Sequence, residues 1–454
     1  MPISQVLPAV EHRRVAIASV LFAMAAAVLD ASSVNIALPS IANGIGVAPS
    51  VAAWLVIAYQ GALVAGLLPL AAIGERFGYR PIFVAGTILF AVCAAGASFA
   101  PGFGFLVVLR ALQGIGAAAI MALGVALLRQ IVAEEELGRA IGWNAMTVAL
   151  LSAAGPTIGA LLLGFGSWRF VFAGSVLLAG ISLSATFALP MRRGVGGQLD
   201  GTGLLVYVAV VPALVVAAGI ARQSMLVAAL LLTAGVTGFG LLVRRDRRRT
   251  RPFLPLPLFR SPRFSRSVMA SVLCFTAMSL ALLMLPFALH DRLGLSARGT
   301  ALMMTPWPLA VLMTTPVTAR LLDRVHPARL CATGTFVLAC GLLTLAVATQ
   351  ACGILWHVFG VVLCGVGFGL FQTPNNRTMF LAAPAHRAAW AGGVQGTARL
   401  AGQVTGALAA SILLSAAIVE TASSSAFGIA ALAALASAGV SWSNDRRGRG
   451  QSAD

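Results

Sequence analysis

The chain has 454 residues, 59% of them hydrophobic and only 10% charged, with a mean hydropathy of +0.94. That composition excludes a soluble globule and fits a polytopic membrane protein. The formal net charge is +18, yet the arginines that supply it lie in short segments between apolar runs, where topology explains them and nucleic-acid binding does not.

A span needs about twenty apolar residues. Fourteen candidates follow in chain order: 16–40, 51–73, 81–100, 105–130, 141–164, 168–190, 202–220, 225–243, 268–289, 301–322, 330–349, 354–376, 390–419 and 422–442. The first is too long for the apolar region of a cleaved signal and is followed by no small-residue cleavage site. Placing Arg13 and Arg14 on the cytoplasmic side puts 25 of the 31 basic residues on inner segments, including Arg76, Arg80, Arg129, Arg320, Arg324 and the 244–266 cluster. Outer loops then hold Arg169, Arg222, Arg292 and Arg298, and spans hold Arg110 and Arg399. This bias predicts an even span count with both termini in the cytoplasm.

Asp30 stands about fifteen residues inside the first apolar run, and a carboxylate at such depth costs roughly 2.5–3.5 kcal/mol on insertion scales, so it calls for a partner or a function. At 1.5 Å per residue it lies about 21 Å into a core of about 30 Å, roughly 9 Å from the outer surface. Arg110, five residues into the fourth span, lies about 8 Å below the same surface. The two charges match in depth and would pair if their helices are neighbours. In RALQGIGAAA, Arg110 and Gln113 share a helical face, and the small residues after them permit close approach of another helix.

Between these, the inner loop LAAIGERFGYRP carries Glu75, Arg76, Gly78 and Arg80, with Gly78 at a tight turn. It reads either as a solvated loop or as an ion-pairing element across a moving interface. Gly155, Pro156 and Gly159 in the fifth span predict a close-packed, kinked helix or a hinge. The arginine-rich segment 244–266 reads as a topogenic anchor near anionic headgroups and as the boundary between halves. Beyond it, Asp323-Arg324-Val325 echoes Glu75-Arg76-Phe77. Once spans seven and eight are set aside, the two loops fall at equivalent places in two six-helix halves, a recurrent transporter architecture. The expected organisation is an N-terminal six-helix bundle over 1–190, a two-helix insert and basic linker over 191–267, and a C-terminal six-helix bundle and tail over 268–454.

In the second half, Gln395, Arg399 and Gln403 form one polar stripe on span thirteen, with Arg399 about 13 Å deep. The stripe is expected to line a cavity. Asn375, beside Asn376 and Pro374, is either polar lining or a helix break. Phe275, Met278 and Phe371 are either pocket walls or packing, and Gln60 in the second span is a polar lining candidate. The six cysteines form no CxxC pair and read as small free hydrophobes, and the histidines sit at span ends or in loops. Nothing in the spacing points to a metal, a Walker loop or a catalytic triad, so an enzyme is not expected.

Together these motifs resemble the major facilitator superfamily, and within it the fourteen-span drug:proton antiporters. LDASSVNIALP (29–39) is similar to the first-span signature with Asp30 on its acid, and WLVIAYQ (54–60) to the second-span W…Y pattern. Residues 71–80 are similar to the inner-loop motif, RALQG to the fourth-span motif, GPTIG (155–159) to the antiporter signature of span five, RPFLPLPLFRSPRF to the usual linker, and Gly393–Thr397–Arg399–Gly402 to span thirteen. Departures are Glu75 for Asp, Ala71 for Gly, Ser175 and Leu177 for Asn and Pro, and Ala31-Ser32-Ser33 for Thr-Ile-Val.

The resemblance implies an all-α polytopic protein with two six-helix bundles of major facilitator type and two additional helices between them. It implies multidrug efflux from the cytoplasm by proton antiport, a function of the kind that confers antibiotic resistance. Asp30 and Arg110 would couple the proton, and Glu75–Arg80 with its echo and the Gly155–Gly159 run would act in the conformational switch. The proton is the coupling ion and no other cofactor is expected. The partners are a small lipophilic substrate, protons and the bilayer of the cytoplasmic membrane, with no nucleic acid, and the chain is expected to work as a monomer. The alternatives are a dedicated exporter or permease of one metabolite, or a non-transporting, lipid-handling membrane protein.

Overall fold

The computed structural model describes residues 10–192, 194, 200–220, 224–249, 256–348, 353–381, 388–416 and 419–450. Among them the backbone forms helices and no strands. In chain order the α-helices are α1 (Val10–Ile45), α2 (Pro49–Ala52), α3 (Trp54–Phe77), α4 (Tyr79–Ser98), α5 (Phe103–Ile131), α6 (Glu134–Leu163), α7 (Val171–Ser184) and α8 (Gly201–Ile220). They continue with α9 (Met225–Asp246), α10 (Pro262–Leu293), α11 (Ala297–Met304), α12 (Pro306–Leu321), α13 (Pro327–Val347), α14 (Gly353–Leu381), α15 (Ala388–Ala416) and α16 (Val419–Gly450). Each of the fourteen expected spans falls on this framework, the second on α2 and α3 and the tenth on α11 and α12. Pro306 and Pro308 separate those last two, because proline suits the first turn of a helix and not its interior.

Ten of the helices described are long and apolar enough to cross a membrane, and Trp168–Ser184 and Gly201–Ala217 are shorter apolar helices. The chain is an all-α, multi-pass membrane protein.

Two compact units are formed, one from Met1–Val34 and Ala58–Val208, the other from Asn35–Ile57 and Ala209–Asp454. In the first, α4 and α5 approach through glycine: a Cβ on Gly116 would lie 2.7 Å from the Gly86 carbonyl and 2.8 Å from the Phe90 nitrogen. In the second, α13 and α14 repeat the contact, with Gly367 against the Gly334 carbonyl at 2.6 Å and against the Leu338 nitrogen. Gly86 to Gly334 and Phe90 to Leu338 are both steps of 248 residues, and Gly116 to Gly367 a step of 251. Gly114 against Tyr59 likewise answers to Gly365 against Trp307. Gly159, packed on Ser33 of α1, answers to Gly406, packed on Leu280 of α10, each a step of 247. The charge echo between Glu75-Arg76 and Asp323-Arg324, also a step of 248, thus belongs to a repeat of whole helices.

One topological expectation is corrected. Arg292 is not an outer-loop residue: α10 runs on to Leu293 and buries it. Its guanidinium donates to the carbonyls of Leu345 (3.2 Å) and Ala348 (2.7 Å) and to the Ser424 hydroxyl (2.5 Å). Those carbonyls close the C-terminal end of α13, where a helix presents acceptors and the negative end of its dipole. His357, expected at an interface, is also buried, with Nδ1 2.9 Å from the Gly353 carbonyl. Cys93, Cys274, Cys331, Cys340 and Cys364 are free, and Cys352 lies outside the described residues.

Candidate functional site

Asp30 lies close to the middle of α1 and is fully buried, as are Gln113 and, at 1% exposure, Arg110. Arg110 Nη1 donates to Asp30 Oδ2 at 2.5 Å and to Gln113 Oε1 at 2.8 Å. Gln113 Nε2 in turn donates to Asp30 Oδ1 at 2.9 Å, and the Ser175 hydroxyl reaches the same oxygen at 3.4 Å. The i,i+3 spacing of Arg110 and Gln113 on α5 is what lets one helix present both donors to one carboxylate. Each oxygen of Asp30 is therefore satisfied, and its Arg110 contact pairs a guanidinium with a carboxylate.

An aromatic floor completes the cluster. The Arg110 guanidinium lies 4.2 Å over the Tyr59 ring and 6.0 Å from that of Phe172, within cation–π range. Tyr59 is buried on α3 and its hydroxyl donates to the Ala27 carbonyl of α1 at 3.3 Å. Side chains of α5 and α7 thus converge on the α1 carboxylate, and Tyr59 of α3 backs the arginine that holds it. Two further contacts fix the helices that carry it. Ser19 and Ser182 exchange hydroxyl-to-carbonyl hydrogen bonds of 3.0 and 2.8 Å between α1 and α7, about two helical turns along α7 from Ser175. Ser33 Oγ donates to the Gly155 carbonyl at 3.1 Å, and Gly155 and Gly159 pack on Ser32 and Ser33, so α6 lies against α1 just past Asp30. The side chain of Pro156 is outside the described residues.

A carboxyl group can be ionised or protonated, and this cluster meets the two forms differently. Ionised, Asp30 accepts from three donors. Protonated, it must donate from one oxygen, and one of those donors loses its acceptor. Ser175 is the neighbour that tolerates this best, since a hydroxyl both donates and accepts.

Other expected site residues are more dispersed. Gln60 is buried on α3, with no hydrogen-bond partner for Oε1 among the described residues. Glu75 and Arg76 are exposed at the end of α3, and Arg80 is half-buried. Among the described residues Glu75 forms no ion pair, while Arg76 lies 5.3 Å from the Phe77 ring. Gly78 has φ +103°, and a Cβ there would meet the Arg192 carbonyl at 2.8 Å, so the turn requires glycine twice over. Asp323 and Arg324 are exposed after α12.

In the second unit, Phe275 and Phe371 are buried, Met278 is half-buried, and Phe275 packs edge-on against Phe368 at 5.3 Å. Asn375 donates to the Ser267 carbonyl at 3.2 Å within a continuous α14, so no helix break occurs there. Gln395 donates to Asn376 at 3.1 Å, and Arg399 and Gln403 follow on the same face of α15, both half-buried. Among the described residues no group of three His, Cys, Asp or Glu side chains is placed to hold a metal.

The sequence reading missed Ser175 and Tyr59 as neighbours of Asp30. Serine and tyrosine are ordinary in such spans, and only helix packing reveals what they touch. Asp246, buried at the end of α9 beside Arg245 at 3.8 Å, was likewise hidden inside a basic run.

The model of the Major Facilitator Superfamily matches residues 20–410. The chain is 38% identical over 405 residues to the uncharacterized transporter YebQ of Escherichia coli (strain K12), covering 88% of each. It is 30% identical over 386 residues to multidrug resistance protein Stp of Mycobacterium tuberculosis (strain CDC 1551 / Oshkosh), covering 83% of this chain and 71% of that one. The crystal structure of a POT family transporter in complex with a thioalcohol conjugated peptide has a TM-score of 0.72 at 15% identity, over 93% of this chain and 94% of that chain. That last likeness concerns the fold alone.

Proposed function

Because the chain belongs to the Major Facilitator Superfamily, we propose that it is a proton-coupled exporter of small lipophilic compounds, of the fourteen-span drug:proton antiporter type. The observation that carries this reading is the buried Asp30 held by Arg110, Gln113 and Ser175. Uptake of a proton at Asp30 removes its charge and turns an acceptor into a donor. The helices that meet there, α1, α5 and α7, then lose the contact that joins them, and the relaxed arrangement is the second state of an alternating-access cycle. A ligand of the cluster drives such a change only through a difference in affinity between two states, and the rearranged hydrogen bonds supply one.

In this reading the chain lies in the cytoplasmic membrane with both termini inside, in keeping with its arginine distribution. It works as a monomer with the proton as its coupling ion, and Glu75–Arg80 in one unit and Asp323-Arg324 in the other each act in the conformational switch. Similarity to a protein named for multidrug resistance supports a permissive substrate range.

The test is reconstitution in liposomes with an imposed pH gradient, comparing wild type with Asp30→Asn. Wild type is expected to accumulate a lipophilic dye against its gradient, while Asp30→Asn equilibrates it without accumulation. Full gradient-driven accumulation by Asp30→Asn would show that another group carries the proton.

A further inference from the structure

Arg399 is an arginine deep in a membrane span, with no ion-pair partner among the described residues of its own unit. It lies three residues from the midpoint of α15, about 4.5 Å along the helix. Its Nε is enclosed and finds no hydrogen-bond acceptor among the described residues, while the side chain as a whole stays partly open. The helices packed against α15 include α10, α14 and α16. Their sequences contain three acids, Asp291, Glu420 and Asp445, each within five residues of a helix end. None is near the level of Arg399.

A second orphan lies at that level. Gly402 packs on Val272, Phe275 and Thr276 of α10, and Gly406 packs on Thr276, Ser279 and Leu280, so the two helices run in the same direction in step. Continuing that register back from Gly402 by three residues places Arg399 level with Ser271. The Ser271 hydroxyl is fully buried and without a partner among the described residues. One level of the α10–α15 pair therefore holds a guanidinium N–H on α15 and a hydroxyl on α10, both unsatisfied among the described residues. Gln395, one turn earlier on α15, adds an amide already anchored on Asn376. Phe275, Phe368 and Phe371 supply buried aromatic surface in the same unit.

An uncompensated arginine in a bilayer is costly and marks a ligand path or a water-filled cavity. Its planar fork matches the geometry of a carboxylate or a phosphate, and of these the singly charged carboxylate suits the apolar, aromatic surroundings better. We propose that Arg399 and Ser271 form a recognition site for the acidic group of an amphiphilic aromatic anion, so that the exported compounds include aromatic carboxylates. The site rests on the exporter reading only for its place in a transport cycle, since binding itself requires no proton coupling.

The probes are fluorescein, an anionic carboxylate, and rhodamine 123, a cation on the same xanthene framework. Fluorescence anisotropy with the purified protein measures binding, and proteoliposomes with a pH gradient measure movement. Wild type is expected to bind and accumulate fluorescein. Arg399→Gln weakens fluorescein relative to rhodamine 123 by about tenfold or more, the value of a lost charged hydrogen bond, and Arg399→Lys restores part of that preference. Ser271→Ala shifts it in the same direction by a smaller factor. An unchanged preference in Arg399→Gln, or a wild type that binds rhodamine 123 and not fluorescein, overturns the proposal while leaving proton antiport standing. Arg399-dependent binding of fluorescein, in vesicles that accumulate neither fluorescein nor a lipophilic dye under the gradient, supports the site and sinks the antiport reading instead.

Discussion

Replacing Asp30 by Asn and Arg110 by Gln, singly and together, measures what the buried pair contributes and predicts an asymmetry. In Asp30→Asn the guanidinium stays charged, because arginine does not lose its proton in proteins. It keeps Gln113 Oε1 at 2.8 Å and the Tyr59 face at 4.2 Å but no anion, at 1% exposure. The introduced amide also points N–H groups at Gln113 Nε2 or at Arg110, so one donor opposes another. Breaking a buried pair in this way costs about 3–5 kcal/mol. In Arg110→Gln the carboxyl has an escape, since it can take up a proton and remain bonded to Gln113 and Ser175. That variant is expected to cost only about 1–3 kcal/mol, the penalty of one imperfectly paired buried polar group. The double variant places two amides face to face and is expected to be more stable than Asp30→Asn alone, as replacement of a buried ion pair is often near neutral. Equilibrium unfolding of the purified protein in mixed micelles, followed by tryptophan fluorescence, gives all three values. Additive losses, or an Arg110→Gln variant less stable than Asp30→Asn, would refute this account of the site.

Two further perturbations test the packing that holds the site. Gly116→Ala forces a methyl to within 2.8 Å of backbone atoms on α4 and is expected to lose about 1–3 kcal/mol, whereas Gly428→Ala, with nothing within 4 Å on α16, is expected to gain about 0.5–1 kcal/mol; the same unfolding assay compares them. Arg292→Gln strips the carbonyl end of α13 of its cation, and hydrogen exchange of amides near Val347 is expected to accelerate by about tenfold or more, against no change if those hydrogen bonds do not hold the helix end.

The depth of charges was legible in the sequence because helix rise is constant: Asp30 and Arg110 were placed at one level by counting residues, and they are in contact. Gln113 was legible for the same reason, sharing a face with Arg110. Ser175 was not, because nothing local tells which serine of a span faces a given neighbour. The fate of Arg292 was misread because residues 290–292 look like the start of a polar loop, whereas α10 continues one turn further and its arginine finds carbonyls to cap. The repeat was visible as a charge echo between two short loops. The glycine contacts that make it a repeat of helices were hidden among 48 glycines, since a close approach is a property of two helices at once.

That repeat bears on why the ion pair is there. With the steps set by the glycine contacts, the positions of Asp30, Tyr59, Arg110 and Gln113 correspond in the second unit to Ala277, Trp307, Val361 and Cys364. All four are buried. The same helix arrangement is thus built once around a charged cluster and once around apolar side chains. Apolar packing is the less demanding solution, because it carries no desolvation cost and leaves no donor to satisfy. The second unit demonstrates that the packing of these helices does not require an Asp–Arg pair. Stability alone therefore gives no reason for the first unit to retain one, and the proton uptake proposed for Asp30 would supply that reason.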